Sequence, residues 1–205
     1  MKNYLASINI NAHDELNLEL KKYALENNVP IIQDEGLAFL RQIIQIKKPL
    51  RILEIGSAIG YSAINMAKCS KAFIDTIEIN EQMYNKALEN IDKANLNDRI
   101  KVFYADALEI NIEDLSNYDI IFIDAAKAQY KKFFLKFKEL LNNDGIIITD
   151  NLLFHGLVLN ENIESKNLRR LVEKIKDYNT WLVSQEDFQS TIYDIGDGMA
   201  LSIKK

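Results

Sequence analysis

Two apolar stretches in the second half of the chain end in residues that could do chemistry together. One closes as Phe122-Ile-Asp124-Ala-Ala-Lys127 and the next as Thr149-Asp150-Asn151. If these stretches are neighbouring parallel strands, Asp124, Asp150 and Asn151 meet as two carboxylates and an amide oxygen, with no Cys or His nearby. That donor set suits a hard divalent cation such as Mg²⁺ and leaves positions open to substrate oxygens. Without a cation, Asp124 and Asp150 would repel each other. The alternative is that Asp150 and Asn151 merely cap the following turn.

Three earlier segments end in the same way. The first reads Glu54-Ile-Gly56-Ser-Ala-Ile-Gly60-Tyr61-Ser62, and its glycines let the backbone turn tightly and approach a ligand. The spacing is not the G-x-G-x-x-G of dinucleotide sites, and no Gly-Lys-Ser/Thr follows as in a phosphate loop. A ligand such as S-adenosylmethionine is therefore the better candidate, although a generic strand-to-helix turn would also explain this loop taken alone. The second segment ends Thr76-Ile-Glu78, where a carboxylate can accept both ribose hydroxyls of an adenosine; a surface glutamate is the alternative. The third is followed by Ala105-Asp106-Ala107, where the adenine edge would lie.

These residues need a scaffold that brings strand ends together. Short apolar runs at 51–55, 73–79, 100–104, 118–123 and 145–149 alternate with helical patterns at 61–68, 81–94 and 130–141. Strands that are apolar throughout and alternate with helices imply a parallel sheet covered on both faces, with ligands at the carboxyl ends of its strands. Two helices precede the sheet: residues 13–28, and a helix that Asp34 can cap, with Leu37, Phe39, Leu40, Ile43 and Ile44 as its apolar positions. A helix over 165–178 follows the sheet strands. Beyond it lie apolar stretches at 181–184, 191–195 and 199–203, the last two separated by the hairpin signal Gly196-Asp197-Gly198.

The bulk properties restrict the class. A chain of 205 residues, 48% hydrophobic and 27% charged, has the mix of a soluble globular protein, and one domain over 1–205 is the simplest organisation. No apolar run is long enough to span a bilayer, which argues against a membrane partner. The first ten residues lack the apolar core of a signal peptide, and the single Cys69 cannot form an internal disulfide, so a cytoplasmic location is expected. Cys69 reads as a small packing residue. The net charge of −5 argues weakly against nucleic acid, but residues 124–176 carry ten basic and seven acidic side chains. This net-positive stretch begins at Asp124.

The glycine loop, the second-strand Glu78 and the third-strand Asp106 resemble the class I S-adenosylmethionine methyltransferases over about residues 50–150. That resemblance implies a three-layer Rossmann-like α/β fold with a seven-stranded, mostly parallel sheet and an antiparallel last strand. Asp-x-x-Lys with a downstream Asp-Asn resembles the metal-dependent O-methyltransferases of catechol and caffeoyl-CoA type, although the plant enzymes usually read Asp-Ala-Asp-Lys where this chain has Asp124-Ala125-Ala126-Lys127. The strings Asp-Ala-Ala-Lys-x-Gln-Tyr at 124–130 and Thr-Asp-Asn-x-Leu-Phe-x-Gly-x-Val at 149–158 look like the bacterial branch that methylates 5-hydroxyuridine at the tRNA wobble position.

The resemblance implies Asp124, Asp150 and Asn151 as ligands of Mg²⁺ or a similar cation, with Asp124 and Lys127 as the catalytic pair. Lys127 would take the acceptor's proton or stabilise the oxyanion; a phosphate-contacting or solvated lysine is the alternative. The expected cofactor contacts are Ile31, Glu54, Gly56, Tyr61, Ser62, Glu78, Asp106, Ala107 and Asp124. A homodimer is also implied, with residues 1–48 as a helical lid or dimer segment. The expected acceptor is the anticodon loop of a tRNA, with a small phenol as the alternative. A cofactor-binding RNA module without catalysis is a third reading, and the intact Asp124, Lys127, Asp150 and Asn151 set counts against it. For RNA, phosphates would be met by Lys131, Lys132, Lys136, Lys138, Arg169, Arg170, Lys174 and Lys176, and bases by Tyr130, Phe154 and His155; a solvated helix face is the alternative for each charge.

Overall fold

The computed structural model describes residues 14–205. The start of the first expected helix, at residue 13, lies outside the described residues. Seven strands form a single sheet: β1 (Arg51–Ile55), β2 (Phe73–Glu78), β3 (Ile100–Tyr104), β4 (Tyr118–Ile123), β5 (Leu141–Thr149), β6 (Phe188–Tyr193) and β7 (Met199–Lys204). Their order is β3-β2-β1-β4-β5-β7-β6. Pairings among β1 to β5 are parallel, whereas β7 runs antiparallel to both β5 and β6. This is the expected α/β architecture with its antiparallel last strand.

Alternation along each strand sends successive side chains to opposite faces. Ile52, Ile74, Ile120, Phe122, Ile146 and Ile148 enter one core, together with residues of α1 (Glu15–Glu26), α2 (Asp34–Lys47), α3 (Tyr61–Lys68) and α4 (Glu81–Lys93). Leu53, Ile55, Ile121, Ile123 and Ile147 enter the other, against α5 (Tyr130–Phe137) and α6 (Lys166–Val183). Phe133, Phe134 and Phe137 are buried there, as core rather than a nucleotide platform.

The structure corrects several boundaries. Asp34 is the first residue of α2 instead of its cap; Gln33 holds the cap position without a side-chain bond, and Asp34 pairs with Lys21 at 2.7 Å. The apolar stretch at 181–184 continues α6 as far as Val183. The reason is packing at helical spacing: Ile175, Tyr178 and Leu182 are buried, and Trp181 sets its ring edge against Phe134 at 5.3 Å between centroids. Helix α5 ends earlier than expected, at Phe137, and β5 begins at Leu141. The polar residues 142–144 conceal that start.

The chain order reverses between β1 and β4, which is where an open α/β sheet places its ligand crevice. The ladder continues one residue past the strands there. The Gly56 amide donates to the Ile77 carbonyl at 3.0 Å, Asp124 to Ile55 at 3.0 Å and Asp150 to Ile123 at 3.1 Å. Gly56 is required at its position. Its φ is +98°, and a Cβ would lie 2.2 Å from the Asp124 carbonyl oxygen. Gly56→Ala is therefore expected to destabilise the protein by about 3 kcal/mol or more, combining backbone strain with overpacking, read as a lower midpoint in urea. An unchanged midpoint would show that β1 and β4 can separate freely.

Candidate active site

A cavity of about 550 Å³ opens at the carboxyl edge of β1 to β4, over the switch in strand order. Gly56, Tyr61, Ser62, Glu78, Asp106, Ala107, Asp124, Lys127 and Asn151, each singled out in the sequence, all line it. Residues 29–32, between α1 and α2, form another wall, which brings in Ile31. That wall is the part of the N-terminal helical segment that reaches the site.

Two expected residues lie behind the lining. Glu54 is fully buried, and its carboxyl accepts hydrogen bonds from the hydroxyls of Ser62 and Thr76. It thus bears on the cavity through Ser62. Asp150 is 3% exposed and sits behind Asn151, whose amide N–H donates to Asp150 Oδ1 at 2.7 Å.

The end formed by β2 and β3 has defined polarity. Glu78 is held at both oxygens: Oε2 accepts from the Ala58 amide and Oε1 from the Asn80 amide, each at 2.8 Å. These bonds fix the carboxylate at the end of β2. Asp106 Oδ1 accepts from Leu108 N at 2.8 Å and so stabilises the turn after β3. Apolar groups of Ile79, Met83, Ala107 and Leu108 line the space between. Ser57 and Tyr61 carry buried hydroxyls with no protein hydrogen-bond partner. Buried polar atoms are almost always matched, so two orphan hydroxyls in the walls of one cavity fit a ligand with polar groups of its own, as S-adenosylmethionine has. Sequence reasoning missed Ser57, because Gly-Ser-Ala is common in turns.

At the other end, Asn151 Nδ2 donates to Asp124 Oδ1 at 2.9 Å, so the three expected metal ligands are brought together. Asn151 has φ +64°, a left-handed conformation that asparagine tolerates. Tyr130, expected to stack on a base, is 1% exposed; its hydroxyl instead donates to the Asp150 carbonyl at 2.9 Å. It therefore braces the site from behind. The Lys127 ammonium lies 5.5 Å from the centroid of the Phe154 ring.

The electrostatics of this corner favour a cation. Burial pushes the Asp124 carboxyl up to about 6, opposed by the Lys127 charge and the Asn151 hydrogen bond. Burial and then the Asp124 charge push Asp150 up to about 8. Two poorly solvated carboxyls that resist ionisation, one buried and one lining the cavity, are what a divalent cation would relieve, and the Asn151 amide oxygen would complete the set after a half-turn of its side chain. Among the described residues no cluster of three His, Cys, Asp or Glu offers a metal site, so a cation here depends on that amide. Burial likewise pushes Glu54 up to about 7, opposed by its two hydroxyl donors.

Several expected RNA-contacting cations are already engaged. Lys136 Nζ donates to the carbonyls of Leu108 and Ile110, Arg169 to that of Ile163, and Lys138 lies 4.0 Å from Asp187. Lys127, Lys131, Lys132 and Lys174 instead border a separate groove of about 610 Å³ beside the site. Phe154 is half-buried and His155 exposed.

A family model described as O-methyltransferase matches residues 7–205. A caffeoyl-CoA O-methyltransferase of Populus kitakamiensis is 30% identical over 190 residues, covering 88% of this chain and 80% of its own. A solved Staphylococcus aureus structure, provisionally named a caffeoyl-CoA O-methyltransferase, superposes with a TM-score of 0.93 at 38% identity, covering 100% of this chain and 99% of that one. An O-methyltransferase from Bacillus cereus in complex with SAH gives 0.84 at 27% identity, covering 99% and 96%.

The raised carboxyls set a pH dependence. A carboxyl whose native pKa exceeds its unfolded value contributes stability that is full at low pH and is lost as pH rises through the native value. For Glu54, raised from 4.5 to about 7, this is on the order of 3 kcal/mol; Asp124 and Asp150 act in the same direction. The metal-free protein is expected to melt at progressively lower temperature as pH rises from about 4.5 to about 8. Mg²⁺ should restore more of the loss at the upper end. Melting curves in EDTA and in Mg²⁺ at three pH values check this; a Mg²⁺ effect independent of pH would contradict it.

Proposed function

The chain belongs to the O-methyltransferase family, and on that premise we propose that it is an S-adenosylmethionine-dependent enzyme whose acceptor hydroxyl is held beside Asp124, Lys127, Asp150 and Asn151. One observation carries the reading. A single cavity has a fixed ribose-type carboxylate, Glu78, on one side and the Asp124–Asn151 pair with Lys127 on the other.

When bound, S-adenosylmethionine supplies a methyl group on a positively charged sulfur, and Mg²⁺ supplies Lewis acidity that eases ionisation of a hydroxyl. The residues do the rest. Glu78 accepts the ribose hydroxyls, residues 105–108 border the adenine, and Ser57 and Tyr61 offer hydroxyls to the remaining polar groups. Asp124, Asp150 and Asn151 present oxygens to the cation. Lys127 Nζ receives the acceptor's proton, or keeps its own and steadies the oxyanion. The main contribution of the protein is alignment of two bound reactants.

For the acceptor, the motif strings at 124–130 and 149–158 and the lysine-bordered groove beside Lys127 favour 5-hydroxyuridine at the tRNA wobble position, with 5-methoxyuridine as product. A small phenol is the second reading, favoured by the caffeoyl-CoA-type relative.

Purified protein with S-adenosylmethionine and Mg²⁺ is expected to methylate tRNA that contains 5-hydroxyuridine, measured by nucleoside mass spectrometry. Turnover of a catechol and not the tRNA would select the second reading. Asp150→Ala is expected to lower Mg²⁺-dependent turnover by about a hundredfold or more while leaving SAH affinity, measured calorimetrically, largely intact. Full activity in that variant would overturn the metal assignment.

A further inference from the structure

The loop that follows Asp150 adopts a backbone that side chains rarely accept. Phe154 and His155 have φ of +47° and +53°, and Gly156 continues at +78°. Such conformations persist where surrounding structure over-determines them. Here the determinant comes from the far end of the chain, in the turn between β6 and β7.

Asp197 is 5% exposed. Its backbone carbonyl accepts from Leu153 N at 2.8 Å, the next carbonyl, of Gly198, accepts from Leu152 N at 2.9 Å, and its side-chain Oδ1 accepts from His155 N. Gly198 is pressed against the same loop: a Cβ there would lie 2.5 Å from Leu153 Cγ. The turn thus grips residues 152–155 by their amides. The grip acts on two contacts at the Asp124 end of the candidate site. Asn151, one residue before the gripped segment, bonds to Asp124, and Phe154 within it faces Lys127.

We propose that Asp197 is a positioning residue for methyl transfer: its carboxylate, by accepting the His155 amide, holds the 151–156 loop so that Asn151 and Phe154 keep their places beside Asp124 and Lys127. The inference rests on the reading of those residues as the reacting site. It assigns the role to the acceptor oxygen and not to the charge. The other oxygen, Oδ2, is buried without a hydrogen-bond partner and lies 3.6 Å from His155 Nδ1. An asparagine, which keeps an acceptor oxygen in the same place, should therefore serve.

The test compares wild type with Asp197→Asn, Asp197→Ala, Asp197→Ser and the control Asp150→Ala. Readouts are hydrogen exchange of the 151–156 amides in the SAH-bound protein, SAH affinity, melting temperature and steady-state kinetics. The alanine variant is expected to exchange at the loop about tenfold faster and to lose about tenfold or more in kcat. Its KM for S-adenosylmethionine should stay within about twofold. The serine variant, whose oxygen falls an atom short, should behave likewise and carries the test if the alanine variant does not fold. The asparagine variant should match wild type in loop exchange and kcat. An asparagine variant as impaired as the alanine one would overturn the proposal, as would alanine and serine variants with normal loop exchange and kcat. Unimpaired Asp150→Ala would bring down the site reading itself, whatever the Asp197 variants do, and is distinguishable for that reason.

Discussion

Two carboxylates that repel each other in a poorly solvated corner are held there by backbone hydrogen bonds they do not themselves make. Asp124 and Asp150 follow adjacent parallel strands, and each donates its amide to the last carbonyl of the neighbouring strand. The ladder fixes the residues, so the charges have no route apart. Burial raises both carboxyls, and the interaction between them raises Asp150 further. The sheet supplies the energy that keeps the pair in place, since its two cores bury the interior strand residues almost completely. Other features of the site follow from this constraint. Gly56 has no side chain because β1 must lie close enough to receive the Asp124 amide, and Tyr130 is buried because a donor is needed at the Asp150 carbonyl.

The cavity divides its work between the strands. The β2 and β3 ends present a carboxylate anchored by one backbone amide at each oxygen, with acceptor capacity to spare, and a tight turn, neither of which depends on an ion. The β4 and β5 ends present groups whose charge state is frustrated. A pocket built this way has one half fixed by backbone amides and another half whose carboxyls are held together against their own repulsion. The lysines beyond it sort in a similar way. Lys136 of α5 is spent on the carbonyls of Leu108 and Ile110, whereas Lys131 and Lys132 border the neighbouring groove.

Much of this was legible in the chain because parallel sheets impose simple rules. Apolar runs of five or six residues that stop at Gly56, Glu78, Asp124 and Asp150 locate the strand ends, and strand ends locate the cavity. What escaped prediction depends on contacts between distant segments. Nothing local marks Tyr130 as a buried brace, since a tyrosine beside lysines reads equally well as a stacking residue. Trp181 looked separate from its helix because Asn179 and Thr180 interrupt the apolar pattern, yet its ring is needed against Phe134. Glu54 reads as a cofactor ligand from its position in the loop, but the alternation of β1 turns it into the interior, towards Ser62 and Thr76. Asp197 lies in a Gly-Asp-Gly turn that signals a hairpin by itself, and its partner amide is forty-two residues away.

The insertion of β7 between β5 and β6 has a consequence for the order of events during synthesis. On a ribosome the chain emerges from its N-terminus, so β1 to β5 can assemble while residues 150–205 are still being added. At that stage β5 is an unprotected sheet edge, open to pairing with another nascent chain. The loop that carries Asn151 also lacks the turn that grips it. Edge protection and completion of the Asp124–Asn151 corner therefore arrive together, with the β6–β7 hairpin. A polypeptide stalled before that point would present the β1 to β3 walls of its pocket without a fixed 151–156 loop.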